Sequence, residues 1–233
     1  VAETWDDTAG MRDTAIYRVF EPGHLCQHIE FASLPDRTIG DEPFTLSATA
    51  SSGLAVSFTA SGSCTVSGNE VTLTGGGVCT LTAVQVGDER FGPADEVSQS
   101  FHVLFDFTGF LSPIENAPAF NRAVAGRALP IRFALAGDAG NDVLAEGSPA
   151  VRHVSCETLA PLGEFEPAIG LGSKSLFHRN QTGRYLYAWK TRRAWAGTCR
   201  ELALGLVDGT VHSAYFRFPG ESPVGRPDQN SRS

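Results

Sequence analysis

The chain reads as all-β, with two tandem sandwich units between a short N-terminal segment and a polar tail. Three observations carry this. Residues 29–103 hold short runs rich in Thr, Val, Ser and Phe, broken by Gly, Asp and Pro clusters. A second series of such runs extends from about 107 to 218. Within Cys79-Thr80-Leu81-Thr82-Ala83 apolar side chains alternate with threonine, the pattern of a strand with one buried face.

Taken in chain order, residues 1–28 mix charges, His and one cysteine without clear periodicity, and 11–20 suit a short helix or a strand equally. The first unit has candidate strands at 43–49, 55–59, 63–66, 70–74, 79–84 and 98–103. Ser67-Gly68-Asn69 and Thr74-Gly75-Gly76-Gly77 supply turns, where glycine takes positive φ without steric cost. Leu104 to Thr108 lacks linker composition, so a stiff junction is expected. The second unit has candidate strands at 129–135, 151–156, 184–190, 201–207 and 210–218. Asp208-Gly209 reads as a type I′ hairpin turn. Pro130 places its strand at an edge or stands as that strand's first residue. Residues 219–233 are polar and read as a disordered tail or a linker. The division is thus 1–28, 29–104, 105–218 and 219–233.

Composition narrows the function classes. The 233 residues are 42% hydrophobic and 19% charged, as in folded proteins. A net charge of −8 argues against a protein built to grip nucleic acid or an anionic membrane. No apolar run approaches the roughly 20 residues that span a bilayer. Val1 to Asp7 lacks the basic start and apolar stretch of a signal peptide, as a trimmed chain also would. Sixteen of the 18 basic residues are arginine, so lysine chemistry has only Lys174 and Lys190.

Cysteine usage points to a compartment. There are five cysteines and no CxxC, so zinc ribbons and thioredoxin motifs have no support. Each unit holds one pair at strand-like positions, Cys64/Cys79 and Cys156/Cys199. One disulfide per unit is expected, worth roughly 3 kcal/mol for a loop of about 15 residues and more for the wider one. Disulfides imply an oxidising, extracytoplasmic setting. Buried free thiols are the alternative, since free cysteine packs as a small hydrophobe. Cys26 is left over, as a free thiol or as one that bridges to another segment or chain.

Two resemblances rest on longer stretches. Ile29 to Leu54, Cys64 to Ala83 and Val97 to Phe101 together resemble one bacterial immunoglobulin-like repeat, over about 29–103. The stretches Ala125 to Asp138, Trp189 to Arg200 and Asp208 to Phe218, with Cys156, resemble the bacterial PxKF domain, over about 107–218. The naming tetrad reads Pro130-Ile131-Arg132-Phe133, with arginine where the family has lysine. The resemblances imply two tandem immunoglobulin-like β-sandwich domains, secreted and appended to larger extracellular proteins. They imply no catalytic residues.

Each candidate site has a bland alternative. Asp138, Asn141 and Asp142, with Glu146 nearby, offer oxygen ligands for calcium; Asx-rich turns look the same without it. His24, Cys26 and His28 share one face on a strand and could seat a metal, or form a polar entry segment. Tyr185, Tyr187 and Trp189 share one strand face, and with Trp195 and Arg192/Arg193 could stack on a ligand; filling the sandwich core is the competing role. Gly170 to Lys174 is not a nucleophile elbow, and Thr198-Cys199-Arg200 resembles the sortase pair only until Cys199 is spent in a disulfide. The glycines at 75–77 run into a strand, not a helix, and lack the phosphate-binding lysine. Asn180-Gln181-Thr182 is a formal glycosylation sequon. An intramolecular isopeptide bond would need Lys174 or Lys190, neither in the first unit.

The expectation is a non-enzymatic structural or adhesive module of a secreted or cell-surface bacterial protein, including a filament subunit. It needs no cofactor, and its partners are other extracellular domains or copies of itself. Thr14 to Phe20 is then the candidate strand donor. The alternative is a carbohydrate- or protein-binding module on a secreted enzyme or adhesin, with a surface glycan or protein as partner. A hydrolase with a dispersed site ranks last.

Overall fold

The computed structural model describes residues 24–136, 139–171, 176–179 and 182–220. The donor stretch 14–20, Lys174, Asn180 and Asp138 lie outside the described residues, as do 221–233.

The described chain is all-β. Its first strands are β1 (Ile29–Glu30), β2 (Arg37–Thr38), β3 (Phe44–Thr45), β4 (Thr49–Ala50), β5 (Ser57–Gly62), β6 (Cys64–Ser67), β7 (Glu70–Leu73), β8 (Gly77–Val84) and β9 (Val97–Leu104). The second series comprises β10 (Phe107–Phe110), β11 (Phe120–Arg122), β12 (Ala128–Leu135), β13 (Ala150–Val154), β14 (Glu166–Pro167), β15 (Leu176–Arg179), β16 (Arg184–Lys190), β17 (Cys199–Gly205) and β18 (Val211–Arg217). Among the described residues a single 3₁₀ turn, Arg193–Trp195, interrupts them.

The sheets β2-β9-β8-β5, β3-β7-β6 and β1-β4 gather round one hydrophobic cluster built from residues 29–103. Along β8 the buried residues recur every second position, at Gly77, Cys79, Leu81 and Ala83. Threonine hydroxyls on the other face bond across to β9, Thr80 to Ser100 and Thr82 to Ser98. Period two thus divides core from solvent as the sequence requires. The run at 43–49 splits into β3 and β4, which pair with different strands.

The sheets β10-β12-β16-β15 and β11-β18-β17-β13-β14 face each other across a second cluster built from residues 105–218. Ile131 and Phe133 of β12, Tyr185, Tyr187 and Trp189 of β16, Leu202 and Leu204 of β17, and Ala214 and Phe216 of β18 point inward. Ile39 packs against both clusters. Pro130 is the third residue of β12, not the first. It pairs with Ala188, while β10 reaches only as far as Phe133, so β12 has one neighbour there. The missing proline N–H therefore breaks no ladder on that side.

Both cysteine pairs form disulfides. Cys64–Cys79 joins β6 to β8 and so ties two sheets together, while Cys156–Cys199 ties the turn just after β13 to the first residue of β17. Cys26 is free and exposed. Residues 25–28 are tied into the first series of strands. Leu25 exchanges backbone hydrogen bonds with Arg90 and Gly92, and the Gln27 amide donates to Gln85 and Gly92.

Strand directions define two poles. β8 leaves the connector end at Gly77 and reaches Val84, and β9 returns to Leu104. Beyond the connector, β10 opens opposite Leu135, whereas Ala128, Lys190, Cys199 and Arg217 lie at the opposite end. The loop 85–96 and the segments around 122–128, 190–198 and 217–220 therefore lie at ends remote from the connector.

Candidate functional site

The connector end carries a buried, hydrogen-bonded polar arrangement. It is built from β9, the Phe105–Asp106 link and the β17–β18 hairpin. The hairpin departs from the expected type I′ turn. Gly209 donates to the Leu206 carbonyl, Leu206 donates to Thr210, and Gly209 alone of the loop has positive φ. This is a three-residue loop, Val207-Asp208-Gly209. It turns the Asp208 side chain inward, where it is 1% exposed. One carboxylate oxygen accepts the Phe105 N–H at 2.6 Å. The other accepts the Thr210 N–H at 2.9 Å and its hydroxyl at 2.7 Å. The Asp208 carbonyl lies 3.2 Å from His102 Nδ1. A buried carboxylate is tolerated because its oxygens meet donors.

Packing reinforces this contact. The Phe105 ring belongs to the second cluster but rests on Gly76 of the first series of strands, where a β-carbon would overlap it. The His212 ring stacks on Phe107 with centroids 3.6 Å apart, and its Nε2 lies 3.1 Å from the Thr210 hydroxyl. Burial holds the His212 pKa below its ordinary value, with Asp208 acting in the opposite sense.

Of the two roles open to Tyr185, Tyr187, Trp189 and Trp195, a ligand platform or the sandwich core, the structure has them in the core. All four side chains are buried, Trp189 completely. Tyr185 stacks on Phe133 at 5.1 Å, Trp189 meets Phe216 at 5.2 Å, and Trp195 meets Phe218 at 5.8 Å. Burial raises the Tyr187 pKa, and its hydroxyl donates to the Ala168 carbonyl. Arg192 and Arg200 lie over Trp195, and Arg192 also pairs with Glu166 at 3.0 Å. Spacing places the three β16 aromatics on one face but does not fix its direction. That face turns inward because β16 is central in its sheet and the opposing sheet covers that side.

Asn141 and Asp142 are exposed, and Asp138 falls outside the described residues. His24, Cys26 and His28 are exposed, with His28 beside Glu30 at 3.9 Å. Among the described residues no three His, Cys, Asp or Glu side chains converge as metal ligands.

A second polar arrangement escaped sequence reading. On the outer face of the five-stranded sheet, Glu201 is 5% exposed, yet accepts from Arg152 Nε at 2.6 Å and from the Ser213 hydroxyl at 2.7 Å. Phe165 covers the Arg152 guanidinium. Phe120, Tyr215 and Arg217 continue this face, with Arg217 5.1 Å over the Phe120 ring. Outward positions in β13, β17 and β18 were legible, but their cross-strand registers were not.

No family model matches the chain, and no curated protein matches it. Among solved structures, a similar chain is described as the Bacteroides ovatus mixed-linkage glucan utilization locus SGBP-B in complex with a mixed-linkage heptasaccharide. It is 14% identical, the match covers 88% of this chain and 46% of that one, and the TM-score is 0.23. The chain therefore spans about half the length of that neighbour, and at this score the likeness carries no functional weight.

Proposed function

We propose that the protein is a non-catalytic structural module of a secreted or surface-exposed bacterial protein, in which two sandwich domains, 29–104 and 105–218, move as one stiff body. Asp208 carries this reading. Its buried carboxylate accepts the N–H of Phe105, the first residue of the second domain, and its carbonyl lies 3.2 Å from Nδ1 of His102 in the first. A flexible tether would leave that N–H to water. The two disulfides support an oxidising compartment. The immunoglobulin-like and PxKF resemblances support a bacterial extracellular setting.

The test is backbone NMR relaxation of the full chain. One rotational correlation time common to strands β8 and β16 is expected. Two distinct correlation times would overturn the stiff-body reading.

A second reading is recognition of a surface glycan or protein, favoured by the partly exposed Phe120 and Tyr215 rings beside Arg217. Aromatic faces next to arginine suit sugar rings. Oligosaccharide titration that shifts Tyr215 and Arg217 resonances supports it, and an unchanged spectrum at millimolar sugar excludes those sugars.

A further inference from the structure

The pole of the second domain remote from the connector carries two adjoining hollows of about 440 and 400 Å³, which share Val124, Arg127 and Pro219. Arg193 lines one, and Arg122 and Leu129 line the other; among the described residues no carboxylate lines either. Three exposed arginines thus rim an apolar floor in a chain of net charge −8. None of the three pairs with a carboxylate among the described residues. Uncompensated like charges repel, so such a rim suits an anionic partner.

The cleft is held in shape by its backbone. Thr191, buried, donates both its N–H and its hydroxyl to the Arg127 carbonyl. Gly197 donates to Phe218, which fixes the chain just before Pro219. Gly126 has φ +79°, and a β-carbon there would overlap the stem of Arg193. The turn therefore requires glycine for its backbone and for the placement of that arginine.

The remote pole of the first domain has the opposite character. Its loop 85–96 carries Asp88, Glu89, Asp95 and Glu96, and one arginine, Arg90. Val86, 76% exposed, lines a hollow together with Asp95 and Glu96. Backbone N–H groups of Phe91 and Arg90 donate to the Asp88 carboxylate and hold its pKa below the usual range, so that charge persists in mild acid. An exposed valine beside two carboxylates lies at one end of the molecule, and an apolar floor rimmed by arginines at the other.

We infer that the arginine-rimmed cleft of one copy receives the acidic 85–96 loop of a second copy, giving head-to-tail association. The contact is heterologous, so it propagates into open chains or closes into rings. This deepens the proposed structural role and rests on it. Exposed ion pairs are individually weak and screened by salt, so association is modest and gains strength where copies are concentrated on a surface.

The test is sedimentation velocity on the full chain in a Cys26→Ser background, which removes interchain disulfides. At low salt, species larger than the monomer are expected to grow with concentration. At about 0.5 M salt the association should weaken on the order of tenfold or more. Arg122→Glu/Arg127→Glu/Arg193→Glu and, separately, Glu89→Lys/Glu96→Lys should each sediment as monomers. An equimolar mixture of the two variants should associate again, because each native surface then finds its complement. The mixture also guards against misfolding, since an unfolded variant could not rescue the other. A monomeric wild type at low salt, or association unchanged by both reversals, overturns the inference. A monomer with a single correlation time would still leave the stiff-body reading standing.

Discussion

Replacing Asp208 with alanine removes three hydrogen bonds to one buried carboxylate. Hydrogen bonds to charged groups contribute about 1.5–3 kcal/mol each, and these three share one acceptor, so their losses do not add. Thr210 keeps His212 beside its hydroxyl, whereas the Phe105 N–H is left buried without an acceptor. A loss of about 3 kcal/mol results. Asp208→Asn is the sharper control. Its amide offers one acceptor and turns an NH₂ toward a backbone donor, so about 2 kcal/mol should still be lost. Urea unfolding monitored by tryptophan fluorescence reads this directly, because Trp189 and Trp195 both lie in the second cluster. With a slope of about 2 kcal/mol per molar urea, the midpoint should fall by roughly 1.5 M for alanine and 1 M for asparagine. Shifts below about 0.3 M for both would refute the idea that this carboxylate fastens the connector.

Three further outcomes are expected. Arg152→Ala strands the Glu201 carboxylate with only Ser213, and should cost about 3 kcal/mol by chemical unfolding; Arg152→Ala/Glu201→Gln should recover a good part of it. Burial depresses the pKa of both His212 and His153, so the unfolded chain binds more protons than the folded one just below the ordinary value of 6.5. Stability is then fully present above pH 6.5 and declines as pH falls through the folded values, and His212→Gln should flatten this slope in urea midpoints taken from about pH 7.5 to 5. Alkylation and mass spectrometry of protein from its native source should label one cysteine of five before reduction and all five after, whereas five labelled at once would place the chain in a reducing compartment.

What sequence could and could not say divides along a physical line. Period-two patterning marked β8 and β16 because each has one face in a core, and that signal is local. It grouped Tyr185, Tyr187 and Trp189 correctly, yet which sheet covers them is a tertiary fact. Asp208-Gly209 announced a turn, but the same dipeptide serves two- and three-residue loops. The choice here goes with a bond to Phe105, 103 positions away. Glu201 looked like an ordinary strand acid, since its partners Arg152 and Ser213 arrive on two other strands. Arg122, Arg127 and Arg193 are scattered in the chain and meet only because β11, β12 and the 3₁₀ turn end at one pole.

The stiffness of the connector is the central claim, and a distance distribution between the two poles tests it most directly. Spin labels at Val86→Cys and Val124→Cys, in a Cys26→Ser background at high salt, report that distance by double electron–electron resonance. A single narrow distribution is predicted for the wild-type junction, broadening when Asp208→Ala is added. A broad distribution already present with Asp208 in place would contradict the account.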